Sequence, residues 1–230
     1  MRKGVQKIYT EVAETYEPIN HILTFGLDIL WRNKTSREIT RTDGQYWLDV
    51  CCGTGEMTRN LSQRADASTN IYSVDFSLPM LSRAKKKNYK QPVNFAIADV
   101  AHLPFPNEAF DLLTISFSIR NLNLNRDELL VHLKEFYRIL KPGGQFLNLE
   151  TSQPSSRLLR RFFHFYIKKI VRPVGSFLSG SKAGYGYLAY TVPRFYPPEE
   201  LSLLLLEAGF SRAKHRSSFL RFAAIHLATK

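Results

Sequence analysis

Tyr46-Trp47-Leu48-Asp49-Val50-Cys51-Cys52-Gly53-Thr54-Gly55-Glu56-Met57 is the stretch that decides the fold. An apolar run stops near Asp49, a turn bearing two glycines follows, and a polar, helix-compatible segment begins near Glu56. The pattern predicts a strand, a tight turn and a helix start. Gly53 and Gly55 carry no Cβ, so the backbone can bend sharply there and a ligand can approach it closely. Cys51 stands where a dinucleotide fingerprint has its first glycine, and no third glycine follows, so the match to GxGxxG is poor. A plain tight turn accounts for these residues equally well, and the rest of the chain has to arbitrate.

Strands and helices alternate on both sides of the turn. Residues 5–16 show helical spacing that ends before Pro18. Ile22, Leu23, Leu27, Leu30 and Trp31 predict one or two helices broken at Gly26. Thr42-Asp43-Gly44 turns into the strand at Tyr46. Downstream, helices are expected over 56–63, 78–87 and 126–140, the last stopped by Lys141-Pro142-Gly143-Gly144. Strands are expected over 70–75, 93–99, 110–117 and 145–150. Pro197-Pro198-Glu199-Glu200 opens a Leu-rich helix ending at Gly209, and 217–229 closes the sheet as a final antiparallel strand. The alternation implies an α/β chain with a doubly wound, Rossmann-like sheet, mostly parallel. One domain over 1–230 is expected, with N-terminal helices over 1–42 and an insertion at about 153–195 acting as a substrate lid.

Composition narrows the partners. Lys and Arg number 32 against 20 Asp and Glu, a formal net charge of +12. Such a balance favours nucleic acid, acidic lipid headgroups or phosphorylated substrates without choosing among them. The two cysteines are adjacent, so they form neither a disulfide framework nor a spaced metal quartet, which points to a reducing compartment. No apolar run reaches the ~18 residues a membrane span needs. The N-terminus lacks an apolar signal core and carries Glu11, Glu14 and Glu17, so a cytoplasmic protein is expected.

In doubly wound sheets ligands sit beyond the carboxyl ends of the strands, where Asp49, Asp75, Asp99, Ser116 and Glu150 fall. Asp75 lies 26 residues past Asp49, near the spacing of a ribose-binding acid, and carboxylate-to-hydroxyl bonds are charge-assisted. A solvated acid at a strand end is the plainer alternative. Asp99 is a weaker candidate for an adenine amine, and Thr58 bonds either a ligand or its own helix backbone. The histidines show no ligand spacing, and no metal site is expected.

Several further segments carry a resemblance. Tyr16-Glu17-Pro18-Ile19-Asn20 with Phe25 to Arg32, Leu48 to Met57, and His102-Leu103-Pro104-Phe105 are three of them. Ile115 to Asn121 and Arg138 to Gly144 followed by Leu149-Glu150 complete the set. Across nearly its whole length the chain resembles the UbiE/MenG family of S-adenosylmethionine-dependent C-methyltransferases of menaquinone and ubiquinone biosynthesis. The resemblance implies a class I methyltransferase fold with S-adenosylmethionine as cofactor. The cofactor contacts expected are Asp49, Cys51, Gly53, Thr54, Gly55, Thr58, Asp75, Phe76, Asp99, Val100 and Ser116. It also implies that Arg120 and Asn121 face a polyprenylated quinol. Glu17, Ile19 and Asp28 stand where the family usually has Asp, Met and His, which touches the substrate more than the cofactor.

The chemistry so implied begins with loss of a quinol hydroxyl proton, after which the ortho carbon attacks the sulfonium methyl in line. Arg120 would stabilise the phenolate with its fixed charge, and Glu150 or a water would take the proton. Residues 157–172 suggest a helix with Leu158, Leu159, Phe162, Phe163, Tyr166 and Ile170 on one face and a basic remainder. That suits an anionic membrane surface at the inner face of the cell membrane, although a core-packing helix with a basic rim shows the same pattern. A homodimer stays open. Nucleic acid is not expected, since no recognisable RNA-binding module is present; another lipid or small molecule is the nearer alternative substrate.

Overall fold

Alternation along the central strands builds the molecule outward from its sheet. In the computed structural model, which describes residues 3–39, 45–123 and 125–230, Trp47, Leu112 and Leu147 pack on one face. Their chain neighbours Leu48, Leu113 and Phe146 pack on the other. Both faces are buried, as the near-continuous apolar runs of these strands require. The strands are β1 (Tyr46–Val50), β2 (Asn70–Asp75), β3 (Val93–Ile97), β4 (Phe110–Ser116), β5 (Leu140–Thr151), β6 (Arg212–Ser217) and β7 (Ala223–Thr229). Among the described residues they form one sheet in the order β3-β2-β1-β4-β5-β7-β6. β1 to β5 run parallel, β7 runs antiparallel to β5, and β6 antiparallel to β7.

Helices cover both faces. α3 (Leu27–Arg37) and α4 (Glu56–Arg64) lie on the Trp47 side, where Met57 and Leu61 enter the core. α7 (Arg126–Ile139) and α11 (Pro198–Glu207) lie on the Leu48 side through Leu133, Phe136, Leu201 and Leu205. The remaining helices are α1 (Lys3–Val12), α2 (Tyr16–Leu23), α5 (Leu78–Ala84), the short α6 (Ile119–Leu122), α8 (Arg157–Tyr166), α9 (Arg172–Ser179) and α10 (Lys182–Thr191). A π-helical turn, Ile167–Val171, joins α8 to α9 without a break. Ile19, Leu23, Phe163, Ile167, Val171, Tyr185 and Val192 form a separate apolar cluster, so α2, α8, α9 and α10 make a cap with its own core. None of the described helices is long and apolar enough to cross a membrane.

Several expectations are corrected. The final antiparallel strand is present but starts only at Ala223, as β7, and a further strand precedes it: β6 reads Arg-Ala-Lys-His-Arg-Ser, an edge strand whose charges deter further pairing and leave no apolar alternation to read. Pro18 does not end a helix. It sits in the first turn of α2, where its missing N–H would have had no partner anyway. Lys141 to Gly144 does stop α7, but these residues belong to β5, which begins at Leu140 and shifts register against β4 before Gln145. The Gly- and Tyr-rich stretch after Ser181 folds as α10, capped by the Ser181 hydroxyl accepting the Gly184 N–H. The turn expected at 42–44 lies outside the described residues.

Candidate active site

Chain order reverses between the paired strands β1 and β4, which is where open α/β sheets bind ligands. Both strands leave the sheet through a non-glycine residue with positive φ: Cys51 at 52° and Phe117 at 54°. Cys51 therefore adopts the backbone that the absent fingerprint glycine would have supplied, at a cost that the surrounding structure must hold in place. Gly53 follows with φ 55° and open space where a Cβ would project. Gly55, with φ 80°, lies so close to α5 that a Cβ would strike the Tyr89 hydroxyl and Ala84. Burial pushes both cysteine thiols up, which keeps them protonated and unreactive.

The turn borders a narrow cleft of about 40 Å³. Of the expected cofactor residues, Cys51, Gly53, Thr54, Asp75, Phe76 and Ser116 line it, joined by Asn121. Asp75 ties the turn to β2: its Oδ2 accepts the Gly53 N–H at 2.9 Å and its Oδ1 the Ser77 N–H at 2.8 Å. Burial pushes its carboxyl up, and those N–H donors oppose the shift. Each oxygen keeps a further lone pair for a ligand hydroxyl. The Asn121 Nδ2 donates to the Tyr9 hydroxyl at 2.7 Å, while its buried Oδ1 has no partner. An acceptor at a strand tip, an open glycine and an orphaned amide oxygen facing one cleft suit an adenosyl amino acid with hydroxyl and ammonium donors.

Other expected contacts fall elsewhere. Asp49 is fully buried below the turn, where Thr58 Oγ1 donates to it at 2.6 Å and Thr114 Oγ1 at 2.8 Å. Asp49, Thr58 and Gly55 thus shape the turn from beneath, outside the cleft lining. Asp99 follows the end of β3 and accepts the Ala101 N–H; neither it nor the buried Val100 lines the cleft. Burial raises the Asp49 carboxyl from 3.8 to about 6, despite the hydroxyl donors. Between those values the folded chain holds a proton that the unfolded chain has released. The group therefore favours folding below pH 4, and the benefit is lost as pH rises through 6. The span corresponds to about 3 kcal/mol. In denaturant melts between pH 4.5 and pH 8, which sample the part of this span above 4.5, Asp49→Asn should lose about 2 kcal/mol less stability than the wild type; equal losses would place the titrating group elsewhere.

A second space of about 510 Å³ lies under the cap. Leu23, Phe25 and Trp31 form one wall, Phe162, Phe163 and Tyr166 another, and Phe117, Leu188 and Val192 close it. Trp31 is thus a half-buried wall residue, whereas Trp47 belongs to the core. Arg120 is the charged group supplied to this space by α6, while its neighbour Asn121 serves the cleft. Tyr16 and Arg32 line both spaces, so the cleft and the cavity adjoin across these two side chains.

Arg120 is buried. Its guanidinium donates to Thr191 Oγ1 at 2.8 Å, and its Nε lies 3.7 Å from Glu150 Oε1. Burial works against the guanidinium charge, but Glu150 together with Tyr9, Tyr16 and Tyr187 outweighs it and holds the Arg120 pKa up. Glu150 itself is fully buried, lines neither space, and accepts from the Arg120 N–H and from the N–H and hydroxyl of Thr151. The structure thus sets it behind Arg120, away from both spaces in which a quinol hydroxyl was expected to meet it.

At the junction stands a charge cluster that sequence reasoning missed. Arg32 pairs with Asp28 at 2.8 Å and Glu56 at 3.0 Å, and its guanidinium lies 5.0 Å from the centre of the Phe117 ring. His21 Nδ1 is 2.9 Å from Asp28, and its Nε2 is 3.4 Å from Glu56. Glu17, His21 and Glu56 bring ligand atoms within 4.8 Å of one another, but Lys87 holds Glu17 at 2.7 Å and Arg32 holds Glu56. Burial raises the Glu56 carboxyl, with Arg32 opposing. Tyr16, Asp28 and Arg32 belong to the two N-terminal segments that carry the family resemblance, which was the one available signal, and His21 lies between them. No periodicity or spacing marks them.

Comparison with known proteins agrees with this geometry. The model of the ubiE/COQ5 methyltransferase family matches residues 1–230. A ubiquinone/menaquinone biosynthesis C-methyltransferase of Rickettsia bellii is 34% identical over 234 residues, covering 98% of this chain and 92% of that protein. A demethylmenaquinone methyltransferase of Staphylococcus aureus is also 34% identical, covering 100% and 94%. Among solved structures, an S-adenosylmethionine-dependent methyltransferase from Thermotoga maritima superposes with a TM-score of 0.70 at 21% identity, over 97% and 99% of the two chains. That likeness speaks to the fold. With a match running from the first residue to the last, beside relatives sharing a third of its positions, the chain belongs to the ubiE/COQ5 methyltransferase family.

Proposed function

We propose that the chain methylates a ring carbon of a polyprenylated quinol, with demethylmenaquinol as first substrate and a demethylated benzoquinol as second. The observation that carries this reading is the 510 Å³ apolar cavity adjoining the glycine-turn cleft across Tyr16 and Arg32. It gives an aromatic, lipid-like acceptor a dry place beside the cofactor residues. S-adenosylmethionine, when bound, supplies an electrophilic methyl on sulfur. Gly53, Thr54, Asp75, Ser116 and Asn121 would hold it.

The protein's own part is positioning and charge. Phe117, Trp31 and the aromatic rings of α8 exclude water and orient the quinol ring. Arg120 presents a permanent positive charge to the quinol oxygen and favours its ionised form. Glu56 lines the cleft beside Tyr16 and is raised by burial, so it is the carboxylate placed to take the hydroxyl proton. The hydrogen on the methylated carbon is then lost to water as a proton, and Glu56 returns its own to the oxygen as the ring re-aromatises. His21, a quarter exposed and next to Glu56, connects it towards solvent. The same reading puts the chain in the cytoplasm, where its two free cysteines stay reduced.

Incubation with methyl-labelled cofactor should label demethylmenaquinol fastest, a demethylated benzoquinol more slowly, and RNA not at all. Label in RNA, or in neither quinol, would overturn the reading.

A further inference from the structure

We infer that the cap docks on an anionic lipid surface through a composite apolar face, and that the quinol enters the cavity from the bilayer at that face. The inference rests on the quinol reading above and deepens it. Leu158, Phe162, Phe165, Ile170, Val174 and Phe177 are all exposed. Their successive steps are four, three, five, four and three residues. On an unbroken α-helix a step of five would carry a side chain about 140° off the row. The π-helical turn at Ile167–Val171 falls in that step and absorbs the extra residue, which keeps the row on one face. Phe163, Ile167, Val171 and Gly175 are buried on the opposite side, against the cap core. A rare helical form here preserves an outward apolar row that packing alone does not need.

A second element extends the face. Phe25, at the turn between α2 and α3, is 81% exposed, and its ring lies 6.4 Å from that of Tyr166. Phe177 is 87% exposed at the far end of the row. Phe25, Phe162, Phe165 and Ile170 are also cavity wall residues, so the mouth of the cavity opens within this patch. A tail of many isoprene units cannot be contained in the cavity and has to leave through that mouth. Large contiguous apolar patches mark partner or membrane contact.

Charge selects the occupant. From Thr151 to Pro198 the chain has eight Lys and Arg and no Asp or Glu. Arg157, Arg161, Lys168, Lys169 and Arg172 are exposed, and none forms an ion pair among the described residues. Unpaired cations flanking exposed aromatic rings match a surface that offers phosphate at its boundary and hydrocarbon below it.

The test is flotation of the full chain with vesicles of phosphatidylcholine alone or with phosphatidylglycerol added. Wild type should float with the anionic vesicles at low salt and be released by high salt. Phe177→Glu and the pair Lys168→Glu with Lys169→Glu lie outside the cavity wall. Each should lower the bound fraction about 10-fold or more, with melting temperature unchanged. Turnover of a short-tailed, water-soluble quinol should stay at the wild-type level, while turnover of a long-tailed quinol in vesicles falls with binding. Failure to float, or equal flotation of the variants, would overturn the docking face. So would a dimer dissolved by Phe177→Glu without loss of vesicle binding, since the face would then join two copies. Loss of activity on the soluble quinol would strike the functional reading instead.

Discussion

The variant Arg120→Met with Glu150→Gln should fold, bind cofactor with unchanged Kd, and methylate quinol about 100- to 1,000-fold more slowly, the loss typical of one preorganised charge donor. The pair is replaced together for a physical reason. Removing Arg120 alone leaves Glu150 buried and uncompensated, which costs about 3–5 kcal/mol and confuses misfolding with catalysis. Removing both charges leaves a neutral, similarly sized pair, so the melting temperature should stay near wild type. The cofactor cleft is lined by Asn121 and not by Arg120, so cofactor affinity is the internal control. Arg120→Lys should recover little, because one ammonium cannot bond Thr191 and Glu150 while still facing the cavity. If the double variant turned over at the wild-type rate, Arg120 would be a structural ion pair and nothing more.

Gly175→Ala should lower stability by about 1–3 kcal/mol, the usual cost of overfilling a packed site, although alanine is the better helix former. Gly175 lies in α9 where the ring of Tyr185 from α10 rests directly on its Cα. A Cβ would project into the body of that ring, which has no flexible end to move aside. The two helices would have to separate, and with them the cap core of Phe163, Val171 and Tyr185. The KM for quinol should rise several-fold while the Kd for cofactor holds, since Gly175, Tyr185 and the cap core of Phe163 and Val171 line no part of the cleft. Calorimetry with parallel quinol and cofactor titrations would read all three. An unchanged melting temperature would show that Tyr185 has room to give.

The parts of the fold legible in the sequence were those where burial dictates composition. β1, β2 and β4 are buried on both faces and read as apolar runs, and Asp75 at the end of β2 marked the cleft. β6 was illegible because an edge strand needs charges, not alternation. The strain at Cys51 and Phe117 is a backbone property that no side-chain pattern reports. Arg32, Glu56, His21 and Asp28 meet only because α3 packs on α4 and α2 folds back beside them, so their shared role is tertiary. For the same reason Asp49 and Glu150, both at strand ends, looked alike as site carboxylates, yet the fold buries both and neither lines the cleft or the cavity.

The cleft and the cavity are roofed by different helices: Val5 and Tyr9 of α1 over one, Phe162 and Tyr166 of α8 over the other. A catalyst fed from two phases profits from such an arrangement. On the quinol reading, the spent water-soluble product would leave past α1 and the greasy co-reactant past α8.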